Sequence, residues 1–230
     1  MKLADDIYFY PDDPSRDAGG LNACAVVIDG EQSLMIDPGC ASRMPALLRR
    51  ITDDGLDPAN IGLVLFTHSH PDHLGAGRAL CEHCGAIPAM HGREIAFYFG
   101  AGSVYRSCGR PWAQEEFTAL EEGEFRFGGR CFHIYLTPGH TPGSLTLHWP
   151  DAKLLAVGDV YFAGTFGATD LTGGSEPDMF RTLEKLEQLP DVELVLCGHG
   201  PEIAGREAVE ENYRALAREV AMKKAGVWPG

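Results

Sequence analysis

Short runs of apolar, β-branched residues, separated by glycine and proline, recur along this chain of 230 residues. Seven runs have the length and composition of strands, and they lie at 24–29, 33–37, 61–66, 131–136, 144–149, 153–157 and 192–197. Apolar residues at helical spacing predict helices at about 43–54, 72–84, 177–188 and 206–224. Strands that first pair locally and then alternate with helices predict two helix-covered sheets, in one domain over 1–230.

The composition is typical of a globular protein and argues against some classes of partner. Hydrophobic residues make up 44% of the chain, which is ordinary for a globular protein. The net charge of -14 argues against nucleic acid or an acidic membrane as a partner. No apolar N-terminal run or membrane-length segment is visible. Scattered cysteines within apolar segments are typical of reduced thiols, so a cytoplasmic location is expected.

The segment THSHPDHLG at 67–75 concentrates metal-binding side chains. It follows the predicted strand at 61–66, and the carboxyl ends of strands commonly bind ligands in α/β folds. His68 and His70 are two residues apart and can point toward one ion, while Asp72 and His73 can turn toward a second. Neutral imidazole and ionised carboxylate groups are ligands that zinc prefers.

Three later loops each offer one further ligand. His140 lies in TPGHTPGS, Asp159 in VGDVYF and His199 in LCGHGP. Each loop follows a predicted strand and contains glycine, which permits a tight turn. Four such loops in one chain predict a centre that holds two metal ions.

These residues together closely resemble the metallo-β-lactamase superfamily. The matching pattern is H-x-H-x-D-H at 68–73, followed in order by His140, Asp159 and His199. The resemblance implies an α/β (α+β) fold, a four-layer αββα sandwich with the metals at one edge of the sheets. It also implies one metal bound by His68, His70 and His140, a second bound by Asp72, His73 and His199, and Asp159 bridging both.

Two adjacent cations lower the pKa of a shared water and polarise a carbonyl group, which favours hydrolysis of an activated acyl group by hydroxide. We expect two zinc ions, with iron or manganese as alternatives, and a small-molecule acyl substrate. Asp72 is the candidate catalytic residue, because it can orient the hydroxide as well as bind metal. Segment 158–175 resembles the corresponding loop of glyoxalase II-like proteins, so a thioester is the first expected substrate.

Two departures from the glyoxalase II pattern are visible. The loop pattern G-R-x-D-x-x-G-G has Ala168 in place of the arginine. Only 31 residues follow His199 (230 − 199), too few for the C-terminal helical domain of full-length glyoxalase II. The resemblance therefore implies a short form, and it puts glutathione in doubt as the thiol.

Two other activities stay open. Persulfide dioxygenases share the fold and use a single iron, which resemblance would assign to His68, His140 and Asp159. A metal-dependent lactonase is the other alternative, in which Tyr161 could contact the substrate carbonyl.

Aromatic residues are dense at 95–117. One hypothesis is a flap over the metals, which would make Tyr105 and Trp112 substrate-binding residues. The alternatives are a separate core cluster or a contact surface for a homodimer.

Overall fold

The computed structural model describes residues 1–12, 22–101 and 112–227. The first of its two large sheets has seven strands, β1 to β7, in chain order. They are Lys2–Ala4, Ile7–Tyr10, Ala25–Ile28, Ser33–Ile36, Ile61–Leu65, Ile87–His91 and Thr118–Leu120. Strands β1 to β4 pair antiparallel, whereas β4 to β7 pair parallel.

The second sheet has six strands in the order β15-β14-β11-β10-β9-β8. Strands β8 to β11 are Gly123–Phe127, Arg130–Leu136, Leu145–Trp149 and Leu154–Gly158. Strands β14 and β15 are Leu194–Cys197 and Ile203–Ala204. A separate hairpin is formed by β12 (Tyr161–Phe162) and β13 (Thr165–Phe166).

Helices cover the outer face of each sheet. The described residues form six α-helices, α1 to α6, which are Met44–Asp53, Pro71–Leu74, Gly77–Cys84, Gly92–Phe99, Glu176–Glu187 and Arg206–Lys224. The first four pack on the first sheet, and α5 and α6 pack on the second. The molecule therefore has four layers, helix, sheet, sheet and helix, as the resemblance implied.

Alternate residues of one strand enter different hydrophobic cores. In β2, Ile7 and Phe9 pack between the sheets, whereas Tyr8 and Tyr10 pack toward the helices. Strand β11 divides likewise, with Leu154 facing the other sheet and Leu155 facing the α5–α6 side. Because both faces of such strands are buried, their sequences read as unbroken apolar runs.

Each of the seven predicted strands is present, with ends within two residues of those predicted. The single helix predicted at 72–84 is wrong, since α2 ends at Leu74 and α3 begins at Gly77. The interruption has a tertiary cause, because the backbone N–H of Ala76 donates to the carbonyl of Gly39 at 2.6 Å. Over the described ranges, no helix has the length and apolarity needed to cross a bilayer.

Candidate metal centre

The ends of four strands carry the predicted metal-binding side chains. The segment that follows β5 carries four of them, His68, His70, Asp72 and His73. Three later strands, β9, β11 and β14, precede His140, Asp159 and His199. These three strands run in one direction, because β10 is antiparallel to β9 and β11, and β14 is parallel to β11. Their carboxyl ends therefore meet at one edge of the second sheet.

The seven side chains form three groups, in each of which the potential ligand atoms lie within 4.8 Å of one another. One group is His68, His70 and His140, another is Asp72, His73 and His199, and a third is His68, His73 and Asp159. The first two are the ligand sets that the resemblance implies for two metals. The third group connects them.

Hydrogen bonds to the imidazole rings determine which nitrogen carries the proton. Nδ1 of His140 lies 2.8 Å from the carbonyl oxygen of Ala168, and a carbonyl oxygen only accepts. Nδ1 of His73 likewise faces the Asp37 carboxylate at 2.9 Å. Both rings therefore carry a proton on Nδ1 and direct Nε2, the nitrogen that can bind a metal, into the cluster.

His68 is oriented by the same logic through a hydroxyl group. Thr67 donates its hydroxyl hydrogen to Asp37 at 2.6 Å, so its oxygen can only accept from Nδ1 of His68 at 3.0 Å. Nε2 of His68 is then left with a lone pair. Three imidazoles thus have Nδ1 engaged in a hydrogen bond and Nε2 directed into the cluster.

Several buried polar atoms of the cluster lack a hydrogen-bond partner. They are Nε2 of His68, of His73 and of His199, together with Oδ1 of Asp159. An unpaired buried polar atom costs about 1–3 kcal/mol, and one is rarely left without a reason. Imidazole nitrogens and a carboxylate oxygen that converge in this way fit divalent cations, which would satisfy them as ligands.

Asp159 is positioned to contact both ligand sets. Its Oδ1 lies 3.2 Å from Nε2 of His73, while its Oδ2 lies 3.6 Å from Nε2 of His140 and 3.4 Å from Nε2 of His199. The carboxylate thus faces His140 of one set and both His73 and His199 of the other, as a bridging ligand would.

Electrostatic coupling within the cluster is strong. Burial lowers the pKa of His70 to about 4 and holds the pKa of His68 well below its ordinary value. Burial also acts on His199, but the neighbouring carboxylates of Asp159 and Asp72 outweigh it and raise its pKa to about 9. Burial likewise acts on His73, but the carboxylates of Asp159 and Asp37 outweigh it and raise its pKa well above the ordinary value. The centre therefore combines imidazoles that stay neutral with two that a metal must compete for against a proton.

Two positions next to the ligands leave no room for a side chain, so glycine is required there. A Cβ atom on Gly198 would lie 2.0 Å from Oδ1 of Asp159 and 2.7 Å from Cε1 of His73. Gly158 has φ +54°, and a Cβ there would lie 2.4 Å from Oγ1 of Thr67. The glycines that mark these loops in the sequence thus let backbone and ligands approach closely.

Asp37 is a buried carboxylate beside the ligands that the sequence did not reveal. It follows β4 in a left-handed conformation with φ +47°, which aspartate tolerates better than most residues. Its Oδ1 accepts from the backbone N–H of Thr67 at 2.8 Å, and its Oδ2 accepts from the Thr67 hydroxyl and from His73. The one signal in the sequence is an acidic residue directly after an apolar run, in IDPG.

Glu94 is a second buried carboxylate that the sequence did not reveal, on α4 and 0% exposed. Its Oε1 accepts from the N–H and the hydroxyl of Ser69, at 2.9 and 2.6 Å. Its Oε2 accepts from the Thr141 hydroxyl at 2.7 Å and the Gly143 N–H at 3.0 Å. Burial raises the pKa of the Glu94 carboxyl, and these hydrogen bonds oppose that rise. Glu94 thereby joins the loop that carries His70 to the loop that carries His140.

An open cavity of about 520 Å³ lies directly over the ligands. Its ligand side chains are His70, Asp72, His140, Asp159 and His199, and the rest of its described lining is Pro71, Phe162, Ala168 and Leu171. A substrate in this cavity would contact the metal ligands on one side and apolar side chains on another.

Two of the three predicted substrate-binding aromatic residues, Tyr161 and Trp112, lie among the described residues. Tyr161 is buried, its hydroxyl pairs with the Tyr213 hydroxyl at 3.0 Å, and it is not among the described residues that line the cavity. Trp112 packs against Phe66 and Phe117 in the core between helices and first sheet. Trp112 therefore belongs to a core cluster, one of the alternatives to a flap over the metals, because burial of its large ring is strongly stabilising. Tyr105 lies outside the described residues.

The sequence matches a known protein family over most of its length. A model of the metallo-beta-lactamase superfamily matches residues 18–199. The chain belongs to this superfamily. The match ends at His199 and excludes α6, so a single domain over 1–230 stays a prediction.

Relatives of this superfamily member include metal-dependent hydrolases. The "probable metallo-hydrolase YqgX" of Bacillus subtilis is 34% identical over 181 residues, which cover 76% of this chain and 83% of that protein. A hydroxyacylglutathione hydrolase of Gloeothece citriformis is 31% identical over 203 residues, which cover 86% of this chain but 65% of that protein. The predicted glyoxalase II-like branch is confirmed by these relatives.

A solved structure supports both the fold and metal binding in this superfamily. TTHA1623, crystallised in a di-iron-bound form, aligns with a TM-score of 0.69 and 31% identity over 81% of this chain and 91% of that one. The predicted sandwich fold is confirmed, and the His and Asp cluster is of the metal-binding type.

Proposed function

We propose that this protein is a hydrolase that uses two metal ions to cleave an activated acyl group, with a thioester as the first substrate class. The observation that carries the proposal is the pair of ligand groups connected by Asp159. One group consists of three imidazoles, and the other combines two imidazoles with the Asp72 carboxylate. Two complete ligand sets that share one carboxylate fit a pair of cations.

The reaction consumes one water and releases an acid and a thiol. A bond forms between the water oxygen and the acyl carbon, and the carbon–sulfur bond breaks. One proton from water reaches the thiolate, and the other leaves the new carboxylic acid. A pair of divalent cations, when bound, lowers the pKa of the water and polarises the acyl carbonyl.

Side chains of this protein perform the positioning. Asp72 lines the cavity with its side chain 19% exposed, and its Oδ2 lies 3.2 Å from Nε2 of His199. Its carboxylate can accept a hydrogen bond from the attacking water and orient it toward the carbonyl. Asp37 and Ala168 keep the His73 and His140 rings in fixed orientations, so little reorganisation accompanies the reaction.

Relatives support the choice of substrate and metal. The Gloeothece relative is named for hydrolysis of a thioester, which favours a thioester over a lactone. Zinc is proposed first because nitrogen and oxygen donors suit it, while the di-iron form of TTHA1623 makes iron the alternative.

The deciding experiment measures metal content and hydrolysis on the same preparation. Protein purified without oxygen is analysed for metals and then assayed for thiol release from acyl thioesters, with lactones in parallel. We expect two zinc ions per chain and thioester turnover at least 10²-fold lower in His70→Ala and in Asp159→Ala, on the scale of a lost charge-stabilising group. One iron per chain, with oxygen uptake on a persulfide, would instead identify a dioxygenase.

A matched control separates loss of metal from loss of fold. His83→Ala changes a histidine on α3 outside the cluster. It should retain metal and turnover. Thioester turnover that persists in folded, metal-free Asp159→Ala protein would refute the proposal.

A further inference from the structure

The wall of the cavity above the metal ligands has a definite chemical character. Apart from metal ligands, the described residues that line it are Pro71, Phe162, Ala168 and Leu171, all of them apolar. The Phe162 ring centroid lies 5.9 Å from that of His199, so the apolar surface begins next to a ligand. A substrate group that extends from the reacting carbonyl toward this side would contact apolar side chains.

Leu171 leaves part of this apolar wall exposed to solvent. Its side chain is 47% exposed, and it is one of few large apolar residues of the described chain in that state. Exposed apolar surface next to a reaction site is stabilised when an apolar ligand covers it.

The turn that carries Leu171 is fixed to the metal centre. The carbonyl oxygen of Ala168 accepts from His140, and the Gly174 N–H donates to the carbonyl of Leu171 at 2.8 Å. The Ser175 N–H closes the same segment by donating to the carbonyl of Gly139 at 2.8 Å. Leu171 is therefore held at a constant position relative to the reacting carbonyl, as a selective contact requires.

We infer that this wall binds the acyl chain of the substrate and that the protein prefers thioesters of apolar acids with longer chains over acetyl thioesters. This inference rests on the proposed function and specifies its substrate class. Leu171 and Phe162 are its specificity-determining residues, because they cover the hydrocarbon while the ligands on the other side face the carbonyl.

A series of thioesters with one neutral thiol tests this selection. Acetyl, butyryl, hexanoyl and octanoyl thioesters of N-acetylcysteamine differ only in acyl length. We expect kcat/KM to rise along the series, by up to about 4-fold for each methylene that becomes buried. In Leu171→Ser the ratio of octanoyl to acetyl kcat/KM should fall roughly 5-fold.

The matched control is Ile87→Ser, which removes an apolar side chain that is 50% exposed and lies outside the cavity. It should preserve the chain-length ratio. A flat series in a wild-type protein that hydrolyses acetyl thioester would overturn the inference and leave the proposed function standing.

Binding of the product acids provides a second readout that does not depend on turnover. Calorimetry on the metal-loaded protein should show octanoate binding at least 10-fold more tightly than acetate, with the difference reduced in Leu171→Ser. Equal affinities would refute the apolar wall. Selective octanoate binding without turnover of any thioester would retain the wall and refute the proposed function.

Discussion

Asp37 and Glu94 are both buried carboxylates that support the metal-binding loops, and they do so at different levels. Asp37 accepts directly from a ligand ring, His73, and also from Thr67 beside His68. Glu94 accepts from Ser69, Thr141 and Gly143, which belong to the two ligand loops without being ligands. Asp37 therefore determines where protons sit on the rings, whereas Glu94 determines where the loops lie.

This difference shows that a metal centre needs two kinds of support. A ligand ring in the wrong tautomer presents an N–H to the cation even when its position is correct. A ring in the correct tautomer on a displaced loop also fails to bind, because its nitrogen lies at the wrong distance from the cation. The two carboxylates should therefore be separable by experiment, through metal affinity in one case and through stability of the metal-free fold in the other.

The largest effect is expected for Asp37→Asn on metal affinity. An asparagine that still accepts from the Thr67 N–H must turn its NH₂ group toward Nδ1 of His73. That nitrogen must then accept, which moves the ring proton to Nε2, the atom that faces the cluster. We expect metal affinity at the Asp72, His73 and His199 set to fall about 10–100-fold, measured by competition with a chelator.

The control for this variant is Asp57→Asn, an exposed residue whose side chain accepts from the Ala59 N–H at 2.9 Å. Asparagine serves there as well as aspartate, so metal affinity should match wild type. Nitrogen NMR of the His73 ring would show the tautomer directly. A ring that keeps its proton on Nδ1, with unchanged metal affinity, would contradict the role of Asp37.

The second largest effect is expected for Glu94→Gln, which should lower the free energy of unfolding of the metal-free protein. Each Glu94 oxygen accepts from one backbone N–H, of Ser69 or of Gly143. Either orientation of the glutamine amide therefore sets its NH₂ group against a backbone N–H. We expect a loss of about 2 kcal/mol by denaturant unfolding, from the buried donor left unpaired.

The exposed Glu121, whose side chain is 79% accessible, offers the matched control Glu121→Gln. That variant should unfold like wild type. If metal-free Glu94→Gln were as stable as wild type and lost affinity only for metal, Glu94 and Asp37 would not differ as described.

The smallest effect is expected for Ser69→Ala, which removes one of the four donors to Glu94. The backbone N–H of residue 69 still donates, so no buried donor is orphaned. A cost of about 1 kcal/mol should lower the melting temperature by about 2–4 °C in a scanning calorimeter. Exposed Ser42→Ala serves as the control, and equal melting temperatures for the two variants would show that this hydrogen bond contributes little.

Local patterns in the sequence predicted most of the fold, for a physical reason. Strands such as β5 and β11 are buried on both faces, so their apolar runs contrast sharply with the loops around them. Several other strands were missed, including the four-residue β2, which is buried on both faces. β6 contains Pro88, and β8 (GEFRF) alternates between half-buried and exposed residues at an edge of the second sheet.

The ligand side chains could be predicted because they stand in short loops directly after such strands. Their partners could not, since each depends on contacts distant in sequence. Glu94 reaches Thr141, 47 residues away, and Tyr161 pairs with Tyr213, 52 residues away. A glutamate on α4 looks like a solvated residue until the fold places Ser69 and Gly143 beside it.

The backbone and the side chain of Ala168 have different roles. The carbonyl, which every amino acid possesses, orients His140, while the methyl group lines the cavity. The side chain at 168 can thus change without removal of the bond that holds the ligand. The glyoxalase II-like loop pattern commonly has arginine at this position. A substitution at 168 would therefore change the shape and charge of the cavity without touching the backbone group that orients the ligand.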